Sequence, residues 1–114
     1  FRKHASDLDF ALSDDVGDED YLVALGAALE AVDAFKPDLL FYLSGADALA
    51  ADRLGRLALT AQGLATRDET VFKFAKARGL PVSIAIGGGY AEPISISVDA
   101  YMATFHAAKT VYGF

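Results

Sequence analysis

A parallel α/β sheet with flanking helices is the fold this sequence predicts, and three observations predict it. Two runs of strand length, Leu39-Leu40-Phe41-Tyr42-Leu43 and Val82-Ser83-Ile84-Ala85-Ile86, stand on either side of one long helical pattern. Each run ends in glycine, as Ser44-Gly45-Ala46-Asp47 after the first and Gly87-Gly88-Gly89-Tyr90 after the second. Further helical patterns precede the first run and follow the last glycine turn. Strand, crossover helix and strand form a βαβ unit, which is expected to be parallel and right-handed.

The elements follow in chain order. Arg2, Lys3 and His4 give a basic start, after which Leu8, Phe10 and Leu12 alternate with Asp9 and Ala11. That period of two predicts a short half-buried strand. Asp14, Asp15 and Gly17 read as a turn, and Asp18 as the N-cap of a helix with acidic residues in its first turn. Tyr21, Leu22, Leu25, Leu29, Val32 and Phe35 recur at helical spacing until Pro37 forces the chain out of helical geometry. The run at 39–43 is continuously apolar, which suits a strand buried on both faces.

Residues 48–59 read as a loop or short helix. Thr60 is placed to cap a helix running to about Arg78, with Leu64, Val71, Phe72 and Ala75 on its apolar side and Gly79 at C′. Pro81 opens the second strand. Glu92-Pro93 begins a last helix through Lys109, with Ile94, Val98, Tyr101, Met102 and Phe105 assigned to its buried side.

The totals bound the function. At 114 residues the chain makes one domain, and 54% hydrophobic residues is a globular composition. A formal net charge of −6 excludes broad binding to a phosphate backbone, so no nucleic-acid partner is expected. The absence of cysteine excludes disulfide and thiolate chemistry. No apolar run approaches the roughly 18 residues of a membrane span and no signal peptide is visible, so no membrane partner and a cytoplasmic location are expected.

Carboxyl ends of parallel strands are where such sheets bind ligands, which directs attention to the two glycine turns. Asp47, after Gly45, can ligate a hard or borderline metal ion or can cap the following turn. Gly87-Gly88-Gly89 allows close approach of a substrate to the backbone, cradles a phosphate, or is a tight connection. It is neither G-x-G-x-x-G nor a Walker loop. Tyr90 can donate a hydrogen bond to a developing oxyanion or can serve in packing. His4 and His106 are the only histidines, and neither sits in a metal-binding or catalytic motif. His106 reads as a partner of the last helix's carboxyl end.

Taken together, Gly45-Ala46-Asp47, Asp52-Arg53-Leu54-Gly55, Leu59-Thr60, Gly63, Arg67-Asp68 and Gly87-Gly88-Gly89-Tyr90 resemble, in order and spacing, the C-terminal part of histone deacetylase-like amidohydrolases. The lead-in Phe1-Arg2-Lys3, Ser6-Asp7-Leu8-Asp9 and Gly17-Asp18-Glu19 through Tyr21-Leu22, with Arg67-Asp68, is most similar to the class IV branch and its bacterial relatives. The resemblance implies an arginase/deacetylase α/β fold and a zinc enzyme that hydrolyses an acyl-lysine or related acyl-amine. It implies that Asp47 is a zinc ligand, that Tyr90 stabilises the oxyanion, and that Leu54, Gly88 and Gly89 line the substrate tunnel. The family's Asp-x-His ligand pair and His-His proton-handling pair lie upstream of the matched segment, and this chain contains neither. Ala51 stands where the family usually has glycine. The expectation is therefore that residues 1–114 are a single C-terminal fragment, inactive alone, with self-association or anion binding as its alternative behaviour.

Overall fold

A computed structural model describes residues 6–52 and 54–114. The basic start at Arg2, Lys3 and His4, and Arg53 of the second motif, lie outside the described residues. Five elements run in the order α1 (Asp18–Phe35), β1 (Leu40–Leu43), α2 (Ala61–Ala77), β2 (Val82–Ala85) and α3 (Ser95–Tyr112). The strands pair in parallel, with Leu40 opposite Val82 and Leu43 opposite Ala85. The βαβ unit is therefore present, with α2 as its crossover. No helix among the described residues is long and apolar enough to cross a membrane.

α2 forms where its local signals say it should. Thr60 accepts the Gly63 N–H at 3.0 Å, so one otherwise unpaired donor of the first turn is satisfied. Leu64, Val71, Phe72 and Ala75 are all buried. At the far end Gly79 takes φ +62°; its N–H donates to the Lys76 carbonyl, and that of Leu80 to the Ala75 carbonyl. That pair of bonds is a Schellman stop, and the glycine supplies the left-handed residue it requires.

Asp18 differs from its expected role. Gly17 occupies the N-cap, and the Asp18 carboxylate reaches across to α2, accepting the Thr60 N–H at 2.8 Å and its hydroxyl at 2.5 Å. At the other ends Arg78 donates to Asp33 at 2.7 Å. α1 and α2 thus lie side by side in the same direction, joined at both ends.

The residues at 8–12 form no strand. Alternation creates a strand only where a neighbouring ladder accepts it, and none runs beside this segment among the described residues. The lead-in joins the rest further on, where the Asp15 N–H donates to the Arg56 carbonyl and the Ala58 N–H to that of Val16.

Two further expectations are corrected. β1 is covered on one face: Tyr42, with Val82 and Ile84 of β2, packs against Phe72 of α2 and Ala107 and Ala108 of α3. Phe41 and Leu43 alternate to the opposite face and remain 67% and 68% exposed. In α3 the buried side consists of Ser97, Ala100, Thr104, Ala107 and Ala108, while Ile94, Val98, Met102 and Phe105 point outward. Small side chains let α3 approach α2 and the sheet closely, so its large apolar residues form the outer stripe. A second core cluster of Ala46, Ala48, Leu49, Leu59, Leu64 and Ala100 lies beneath the loops that follow the strands. That cluster is the floor on which the candidate site rests.

Candidate active site

The two glycine turns are stitched together. The Ser44 N–H continues the ladder to the Ala85 carbonyl at 3.0 Å, and the Ala46 N–H donates to the Gly88 carbonyl at 2.8 Å. Tyr101 of α3 rises between them, its hydroxyl within 2.7 Å of the Gly87 carbonyl and 2.5 Å of the Gly88 carbonyl. The same oxygen lies 3.4 Å from the Ala46 N–H, which it can accept. One phenol from the last helix therefore ties both strand ends.

Asp47 projects from this junction and is exposed. Gly45 makes room for its carboxylate and Gly88 lies beside it. A Cβ at Gly45 would stand 2.6 Å from Oδ1, and one at Gly88 would stand 3.5 Å from Oδ2. Gly55 is held still more tightly, since any side chain there would overlap the Asp47 carbonyl. A cleft of about 390 Å³ opens beside this carboxylate, walled by Leu43, Gly45, Gly55, Gly87 and Gly88, with Arg56 and Arg67 at its side. Among the described residues, Asp47 is the one acidic residue lining it.

The remaining candidates take different places. Tyr90 is 55% exposed at the end of the glycine turn and Leu54 is exposed on the loop opposite; neither lines the cleft. Gly89 is turned toward the interior, where a Cβ would meet the Tyr101 ring at 3.2 Å. Gly88 alone of the tunnel candidates lies against Asp47. His106 is exposed on α3. The glycine turn is separated from the first turn of α3 by residues 90–94.

Three residues with structural consequences for the site carried no assigned role in the sequence. Tyr101 was legible only as an apolar helix position. Asp52 is buried, and its carboxylate accepts the N–H groups of Leu54 and Gly55 at 2.8 Å each and of Tyr90 at 2.6 Å. Burial acts to raise its pKa, but the three backbone donors outweigh this and hold it below the ordinary carboxylate value.

Arg67 is buried and donates to the Gly45 carbonyl at 2.7 Å, two residues before Asp47. Its Nε and Nη2 bind Asp68 at 3.0 and 2.9 Å. Burial works against the Arg67 charge, yet Tyr42 and Asp68 beside it raise its pKa further. Burial likewise drives the Tyr42 phenol well above its usual range. The arrangement offers an exposed carboxylate and a phenol on adjacent strand ends, both on rigidly bonded backbone. Such groups can bind a cation and donate a hydrogen bond to a substrate oxygen.

Comparison with known proteins gives consistent relatives. The histone deacetylase domain profile matches residues 2–105. An uncharacterized protein of Picosynechococcus sp. is 42% identical over 112 residues, covering 97% of this chain and 37% of that protein. Histone deacetylase 2 of Arabidopsis thaliana is 40% identical over 73 residues, covering 63% of this chain and 19% of its own length. Type-1 histone deacetylase 1 of Dictyostelium discoideum is 34% identical over 84 residues, covering 73% of this chain and 16% of its own. The chain thus spans well under half the length of each of these relatives.

Proposed function

This chain belongs to the histone deacetylase family, with the arginase/deacetylase-like α/β fold that goes with it, and we propose that it carries part of the active site of a zinc-dependent amidohydrolase. The substrate class is an acyl group on a lysine or related amine nitrogen. The observation that carries this reading is the junction of the two strand ends: Gly88 lies bare against the Asp47 carboxylate while Tyr90 projects two residues on. In that reading Asp47 contributes one metal ligand, and the Tyr90 hydroxyl donates to the carbonyl oxygen as it gains negative charge. Leu54 and the backbone at Gly88 offer apolar and side-chain-free surface to the methylene stem, whereas Gly89 faces the Tyr101 ring.

The described residues do not by themselves fit a zinc ion. No three His, Cys, Asp or Glu side chains gather among them, and a catalytic zinc takes three protein ligands. The reading therefore assigns the remaining ligands and the proton-handling groups to residues that this sequence does not contain. It expects no hydrolysis of an acetyl-lysine peptide by these 114 residues alone, and zinc-dependent hydrolysis by a protein in which the remaining groups accompany them. A purified 114-residue chain that turns over the peptide with zinc would defeat the assignment of missing groups; a longer protein that never does so would defeat the activity.

A second reading concerns the isolated chain. Phe41 and Leu43 on the open sheet face form apolar surface of the kind that drives association. The outer stripe of α3 adds a second patch. The isolated chain is expected to self-associate as its concentration rises, and Phe41→Ser with Leu43→Ser to shift it toward monomer. Light scattering checks this, and a monomer at high concentration without those changes would count against it.

A further inference from the structure

Tyr90 presents a problem of positioning. It follows three glycines, whose backbone has the widest conformational freedom of any residue. Its side chain is half exposed and belongs to neither core cluster. Neither local preference nor packing of the ring therefore sets where the hydroxyl sits, and the backbone must be fixed by bonds from elsewhere. Tyr101 and the Ala46 N–H hold the carbonyls of Gly87 and Gly88, and two further bonds hold the backbone at Tyr90 and Ala91 themselves. Asp52 Oδ2 accepts the Tyr90 N–H at 2.6 Å, and the buried Ser97 hydroxyl of α3 accepts the Ala91 N–H at 3.1 Å. Asp52 and Ala91 also form an isolated antiparallel bridge.

The other oxygen of Asp52 faces the opposite loop. Oδ1 accepts the N–H groups of Leu54 and Gly55, and Gly55 is pressed against the Asp47 carbonyl with no room for a side chain. One carboxylate thus joins the backbone beside Asp47 to the backbone beneath Tyr90. We infer that Asp52 is a positioning residue for Tyr90, setting the phenol in register with the Asp47 loop. The inference rests on the reading of Tyr90 as the oxyanion donor. It matters because a misplacement of roughly 1 Å can cost about a hundredfold in rate.

Asp52→Asn isolates the link. An asparagine that keeps its carbonyl toward Leu54 and Gly55 retains two bonds and turns an amide NH₂ toward the Tyr90 N–H, so that only this contact is lost. In a protein of the relatives' full length that includes these residues, three results are expected. Hydrogen exchange read by mass spectrometry quickens in the peptide over 87–92. On an acetyl-lysine peptide kcat falls by about ten- to a hundredfold with KM little changed. The same substitution costs almost nothing further on a Tyr90→Phe background, because residues acting through one another do not add.

Unchanged exchange at 87–92, or an equal loss on both backgrounds, overturns the inference. A Tyr90→Phe protein as active as the parent would instead sink the reading of Tyr90. The exchange measurement would still decide whether Asp52 fixes that turn.

Discussion

Replacing Asp68 with alanine is expected to cost about 3–5 kcal/mol of folding stability, because it leaves a buried guanidinium without its carboxylate. Asp68 is fully buried and accepts four hydrogen bonds. The donors are the Tyr42 hydroxyl, Arg67 Nε and Nη2, and the Thr104 hydroxyl at 2.6 Å. Those partners come from β1, α2 and α3, so one side chain joins the sheet to both helices that cover it. Its loss strands the Tyr42 hydroxyl together with a charge, and leaves the Thr104 hydroxyl only the Ala100 carbonyl at 3.3 Å. Against a typical total of about 5–15 kcal/mol, a loss of that size removes a large share of the stability.

Urea unfolding followed by circular dichroism measures the effect, and a loss below about 1 kcal/mol would contradict the argument. A control separates charge burial from packing. Arg67→Met combined with Asp68→Leu removes both charges and is expected to recover part of the stability, since a well-packed apolar pair can replace a buried ion pair. The double change should still loosen the Asp47 loop, because the bond from Arg67 to the Gly45 carbonyl goes with it.

What could be read directly from the sequence was what local rules determine. Thr60 and Gly79 mark the ends of α2 by hydrogen bonds and a left-handed φ that only a few residues supply, and its four apolar positions are all buried. α3 shows the limit of periodicity. The stripe at 94, 98, 102 and 105 is present, but spacing reveals that a face exists and not what it meets; the small residues won the inner face because they permit closer approach. β1 is apolar throughout, yet burial alternates along it because helices cover only one side. The site divides in the same way. Asp47 and the glycines stand out as strand-end residues, whereas Asp52 acquires its role from a backbone N–H 38 residues away. Tyr101 does so from a turn 13 and 14 residues before it. No spacing rule encodes such contacts; only the closed fold does.

Tyr90→Phe, in a protein of the relatives' full length that includes these residues, is expected to lower kcat by about 10²–10³ while leaving KM nearly unchanged. The change removes one hydroxyl and nothing else. The ring is 55% exposed, so the core loses no packing, and the backbone N–H that binds Asp52 is retained. Stability should therefore match the parent, which separates a chemical defect from a folding one. If the hydroxyl donates chiefly to the oxyanion, its bond strengthens as charge develops, and the loss falls on kcat. If instead it binds substrate equally in the ground state, KM rises and kcat is preserved. Steady-state kinetics on an acetyl-lysine peptide, with a thermal melt beside them, distinguish the two outcomes. A fall in kcat of less than about threefold would remove Tyr90 from the chemistry, since even one oxyanion donor is ordinarily worth far more.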